Sequence, residues 1–106
     1  MAEYIYNQND HTLSCKFAGN LNTDRSLTLQ PEIEEQITVR FIAQSDIRLK
    51  VIFDFASVDF VTSAFIRLCV LYVKKVGREH FSIINSNPFI KKTFKIAGLD
   101  DELNLS

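Results

Sequence analysis

The run Asp59-Phe60-Val61-Thr62-Ser63-Ala64-Phe65-Ile66-Arg67 places two hydroxyls, a carboxylate and a guanidinium within nine residues. Ser63 is the centre of interest because it stands where a strong helical pattern begins. Spacing alone reads it as a cap: its oxygen, or that of Thr62, accepts a hydrogen bond from one of the orphan N–H groups of the first turn. The same place suits a charged modification. A phosphate on Ser63 adds about −1.5 to −2 charges at neutral pH, and the free N–H groups and dipole of a helix start favour negative charge. Asp59 reads equally as a loop cap or as a group beside that hydroxyl. Asp54 closes the apolar run Val51-Ile52-Phe53 and reads as a structural or surface carboxylate at a strand end.

Other chemistry is missing. No GxSxG nucleophile elbow and no GxxxxGK[ST] or GxGxxG phosphate cradle occurs in the sequence. Asp100 and Asp101 are adjacent but lie in a polar tail, and His80 stands beside Arg78 and Glu79 in a surface pattern. Catalysis needs several convergent groups, so the chain is expected not to be an enzyme. Cys15 and Cys69 are the two cysteines, and no ligand spacing joins them to His11 or His80. They read as buried reduced thiols in a reducing compartment, with no metal and no cofactor expected.

The elements that position these residues follow from periodicity. Tyr4–Tyr6 opens a strand, Asn7–Asp10 is a polar turn, and Leu13–Phe17 alternates apolar and polar, so the start reads as a hairpin ending at Gly19 and Asn20. Ile33, Ile37, Phe41 and Ile42 share one helical stripe. Pro31 is comfortable only in a first turn, which predicts a main helix from Leu29 or Gln30, after a short helical turn over Thr23–Leu27. Leu49–Phe55 reads as a strand buried on both faces, and ASVDFVTS, residues 56–63, as a connection. Ser63–Val76 is a helix whose stripe is Phe65, Leu68, Cys69, Tyr72, Val73 and Val76, closed by Gly77. His80–Ile84 is a strand. Asn87 or Ser86 caps a last helix with Phe89, Ile90, Phe94 and Ala97 on its apolar face, Lys91, Lys92 and Lys95 on the other, and Gly98 at its end. Leu99, Leu103 and Leu105 are expected to rest on the body.

The order ββαβαβα predicts one α/β domain over residues 1–106, with a mixed sheet of about four or five strands and helices mainly on one face. At 106 residues, a chain buries about two-thirds of its unfolded surface, enough for a core without staples. Twelve basic and thirteen acidic residues carry no basic excess of the kind nucleic-acid binders use. Arg67, Lys74 and Lys75 break the longest apolar stretch, so no segment is expected to span a bilayer. The start MAEYIYNQNDH lacks a signal-peptide pattern. These features point to a soluble, cytoplasmic protein without nucleic-acid or membrane partners.

Three stretches carry a family likeness. Residues 51–77, VIFDFASVDFVTSAFIRLCVLYVKKVG, resemble the core of STAS domains, the family of bacterial anti-sigma factor antagonists. FAGNLN resembles that family's lead into the first helix, and SNPFIKKTFKIAGLDD its last helix. By this resemblance Asp54 matches the strand-end Asp, Asp59 the loop Asp, and Ser63 the phosphorylated serine. The family's Asp before that serine is Thr62 here, which raises Thr62 as an alternative phosphoacceptor, and its following Ser-Gly is Ala64-Phe65. The resemblance implies a partner-binding surface of Asp59, Thr62, Ser63, Ala64, Phe65 and Arg67, with Asp54 near it. It implies a partner that is a serine kinase or anti-sigma factor of the histidine-kinase-like ATPase type, released by phosphorylation at Ser63, and a serine phosphatase that resets the switch. A scaffold or accessory role in a larger signalling complex, without a phosphate cycle, is the alternative.

Overall fold

The alternation at residues 13–17 is realised as an antiparallel hairpin of β1 (Glu3–Asn7) and β2 (Thr12–Leu21), with Tyr6 opposite Leu13 and Glu3 opposite Lys16. Its turn is held locally: Asn7 Oδ1 accepts from the Asn9 N–H at 2.9 Å, and the Thr12 hydroxyl donates to the Asp10 carbonyl at 3.2 Å. In this computed structural model residues 2–43 and 49–106 are described, with the side chains of 2–40 and 49–106. The chain continues through α1 (Thr23–Ala43), β3 (Lys50–Val61), α2 (Ser63–Val76), a 3₁₀ turn (Arg78–His80), β4 (Phe81–Ile84) and α3 (Pro88–Ile96).

The sheet is mixed, in the order β1-β2-β3-β4, with β2, β3 and β4 parallel. Leu105 adds a single parallel bridge to Ile83. One face of the sheet carries Leu13, Cys15 and Phe17 of β2, Val51, Phe53 and Phe55 of β3, and Phe81 and Ile83 of β4, all buried in one core. The alternate residues, among them Ser14, Lys16, Ile52 and Asp54, are half-buried or exposed. Parallel crossovers are right-handed, so the two here, β2–α1–β3 and β3–α2–β4, put α1 and α2 on the same face, and α3 joins them there through Ile90 and Phe94, buried in the same core. This is the α/β architecture expected, with four strands.

An aromatic cluster joins the layers. Phe17 and Phe53 meet edge to face with centroids 5.0 Å apart, and Phe53 meets Phe81 at 5.0 Å and Tyr72 of α2 at 6.1 Å. Such pairs contribute about 0.5–1.5 kcal/mol each beyond the area they bury. The tail closes the core: Leu103 is fully buried, and Leu99 and Leu105 pack against it.

Several boundaries differ from those read in the sequence. Helix α1 starts at Thr23 rather than Leu29 or Gln30, and Pro31 lies inside it. Asn22 supplies the start, because its Oδ1 accepts from the Arg25 N–H at 2.9 Å. Leu29 then shares a buried stripe with Ile33 and Ile37, and this burial offsets the cost of exposed Pro31, which lacks a donor and whose ring crowds the carbonyl one turn back in a helix interior. The side chains of Phe41 and Ile42, the other half of that stripe, lie outside the described residues. Strand β3 runs through what read as a connection. Relative to β2 it holds one extra residue between Asp54 and Ser57 and another between Val58 and Phe60. These bulges break the two-residue period by which a strand is read. On α3, Ile90 and Phe94 are buried, but Phe89 is 64% exposed and Ala97 is also exposed. Phe89 is adjacent to Ile90 and so points about 100° away from it around the helix, and Ala97 is the C-cap residue just past the last helical position. Phe60 is half-buried.

Candidate functional site

Because β2, β3 and β4 are parallel neighbours, the three helices that follow them begin together at one end of the sheet. In open α/β sheets this end is where binding crevices form. Polar side chains lock the starts of α2 and α3 to the strand ends. The Thr62 N–H and hydroxyl both donate to the Leu21 carbonyl, at 3.0 and 3.1 Å, tying the start of α2 to the end of β2. Asn87 caps α3, as expected, by accepting from the Ile90 N–H at 2.8 Å. Its Nδ2 donates to the carbonyls of Val58 and Asp59 at 3.2 and 3.0 Å.

Ser63 is the first residue of α2 and is exposed. Its hydroxyl makes no hydrogen bond among the described residues. Thr62 holds the N-cap position in extended backbone, yet no side chain caps α2. The expected cap by either hydroxyl is therefore corrected: Thr62 is half-buried with its proton committed to Leu21, and Ser63 faces outward. The first turn of α2 also contains no acidic residue. Of the two hydroxyls, the one free to react is Ser63.

Asp59 is exposed on the second β3 bulge, and its carboxylate has no partner among the described residues. It is a strand residue and caps no loop. Asp54 is different. Its Oδ1 accepts from the Ala56 N–H and from Asn85 Nδ2, both at 3.0 Å. It lies within β3, on the sheet face away from the helices and seven residues before Val61, roughly 20 Å along a strand. It ties β3 to the turn after β4 and is removed from Ser63, so the expected place near the site is corrected.

Phe65 is also corrected. It is 0% exposed and packs edge-on against Phe17 at 5.4 Å and beside Phe53 at 6.0 Å. As the third residue of α2 it faces the sheet, so it belongs to the core and leaves the partner surface. Ala64 and Arg67 stay on that surface. They line a groove between α1 and α2 with Leu27, Gln30, Leu68 and Leu71. Leu27 is 66% exposed and Leu71 48% exposed. The sequence reading missed both leucines. Their signal was an apolar residue off the buried stripe of its helix, visible at Leu71 but hidden at Leu27 by the misplaced start of α1. Arg67 is exposed and makes no hydrogen bond or ion pair among the described residues.

The two thiols offer no reactive group. Both are free and buried. Burial pushes the Cys15 thiol up to about 12, with the Arg40 charge opposing in part, and burial also raises Cys69. Among the described residues no group of three or more His, Cys, Asp or Glu side chains could hold a metal ion. Among them too, no helix is long and apolar enough to cross a membrane.

No family model matches the chain, and no curated protein matches it. Solved structures do. The chain is similar to the anti-sigma factor antagonist SpoIIAA in its unphosphorylated form, at 17% identity and a TM-score of 0.65, over 91% of this chain and 83% of that one. It is also similar to an uncharacterised Shewanella loihica protein with a SpoIIAA-like fold, at 18% identity and a TM-score of 0.52, over 92% of this chain and 75% of that one. The chain thus has the SpoIIAA-like, STAS-type fold that residues 51–77 suggested.

Proposed function

We propose that this protein is a regulatory binding module of the anti-sigma factor antagonist kind, working in the cytoplasm as a phosphorylation substrate without catalysis or cofactor of its own. Unphosphorylated, it binds a serine kinase or anti-sigma factor of the histidine-kinase-like ATPase type. Phosphorylation at Ser63 releases that partner, and a serine phosphatase restores binding. The observation that carries the reading is Ser63 itself: an exposed, unbonded hydroxyl at an uncapped helix start, beside a groove with two exposed leucines. A helix start accommodates the new negative charge without unfolding, so the switch acts on a docked partner. Losing 1.4 kcal/mol of binding energy there is about a tenfold loss of affinity. The contact surface is Asp59, Ser63, Ala64 and Arg67, with half-buried Thr62 behind it.

The test is a pulldown from a lysate of the source organism with wild type, Ser63→Ala and Ser63→Glu as baits, each shown to be folded by circular dichroism. Wild type and Ser63→Ala retain a kinase-like ATPase that Ser63→Glu loses. Retention of the same proteins by all three baits overturns the switch and supports the scaffold role.

A further inference from the structure

Ser63 and Arg67 are four residues apart on α2, which places their side chains on one helix face, one turn apart. The order is the favourable one: the group that would become negative is N-terminal and the cation C-terminal, in line with the helix dipole. No described residue competes for either side chain, since neither makes a hydrogen bond or ion pair. The first turn of α2 has no acidic side chain and its N-cap makes no side-chain bond, so the helix's own first turn brings no negative charge to Ser63. Arg67 also lines the α1–α2 groove, and among the described lining residues it is the one that carries a charge.

Resting on the switch proposed above, we infer that Arg67 is the internal counter-ion of phosphorylated Ser63, so that modification both adds charge at the helix start and withdraws the groove's cation. The guanidinium is planar and matches phosphate oxygens with two parallel N–H bonds. Unmodified, the protein presents an apolar groove with a free positive charge, suited to a partner surface that is apolar with an acidic side chain at its edge. Modified, that charge is spent within the chain.

The test needs no partner. Phosphoserine is installed at position 63 by genetic encoding, in wild type, Arg67→Gln and Lys75→Gln, and the second ionisation of the phosphate is followed by phosphorus NMR. Lys75 carries the same charge but lies twelve residues from Ser63, about 18 Å along the helix, beyond a Debye length. Removing Arg67 is expected to raise the phosphate pKa by a few tenths of a unit, roughly a twofold gain in proton affinity, on the scale of an exposed helical ion pair. Lys75→Gln leaves it unchanged, Arg67→Lys restores part of the shift, and 1 M salt removes the difference. Equal titrations of the Arg67→Gln and Lys75→Gln proteins overturn the inference. That result leaves the partner switch standing, because phosphate is placed chemically here. The pulldown can equally refute the switch without touching the pair.

Discussion

Phe65 is the residue at which a surface reading and a core reading part most sharply, and Phe65→Ala decides between them. The side chain is fully buried. It contacts the rings of Phe17, Phe53 and Phe55 with centroids 5.4, 6.0 and 6.1 Å away. Truncating such a phenylalanine costs about 3–5 kcal/mol, from lost transfer energy and the cavity left behind. A domain of this size has roughly 5–15 kcal/mol in total, so the variant keeps at most about four-fifths of its stability and none of it at the low end. With a urea slope of about 1.5 kcal/mol per molar, a loss of about 4 kcal/mol lowers the unfolding midpoint by roughly 2.5 M. Phe65→Leu, which keeps most of the volume, is expected to lose less than half as much. Urea titration followed by far-UV circular dichroism reads both. A midpoint shift below about 0.5 M for Phe65→Ala, at an unchanged slope, would refute the packing argument and return Phe65 to the contact surface.

Two further outcomes follow from the fold. Pro31→Ala restores an N–H inside α1, where Pro31 is exposed; since interior proline costs a helix about 3 kcal/mol, a gain of about 1–3 kcal/mol is expected, read as a raised unfolding midpoint. Alkaline pH weakens the fold through the thiols. Cys15 keeps its proton in the folded state up to about 12, against an ordinary value of 9.0, and Cys69 is raised in the same direction. The folded state then binds more protons than the unfolded chain, so this stability is whole below about pH 9 and is lost as pH rises toward 12. Each thiol lowers the folding constant about tenfold per pH unit in that window. Urea midpoints at pH 8, 9.5 and 10.5 should fall steadily, and less steeply in Cys15→Ala; a flat series contradicts the burial argument.

The elements whose side chains meet the sheet at one regular period were legible in the sequence. The alternation of Leu13, Cys15 and Phe17 and the stripe from Phe65 to Val76 each report local geometry, and the described elements at those positions match. The run Val51–Phe53 marked a strand correctly, but its expected burial on both faces is corrected, because helices cover only one face of the sheet and Ile52 and Asp54 on the other are half-buried. Asn87 was legible as a cap because its partner, the Ile90 N–H, is three residues away. Ser63 was legible as the start of a helix for the same local reason.

Where contacts come from distant residues, sequence alone fell short. The start of α1 at Thr23 depends on Leu29 meeting the core, which outweighs the local cost of Pro31. The length of β3 depends on its register with β2 through two bulges, and a bulge is defined by the partner strand. Thr62 and Ser63 are adjacent and chemically alike, yet Leu21, forty-one residues from Thr62, takes one hydroxyl and leaves the other free. Phe65 and Phe89 have similar apolar spacing, and only the packing of their helices buries the first and exposes the second. Residue types and their period thus determined the order of elements and the candidate hydroxyl. Tertiary structure decided which side chains reach solvent, because exposure is a property of what the rest of the chain brings alongside.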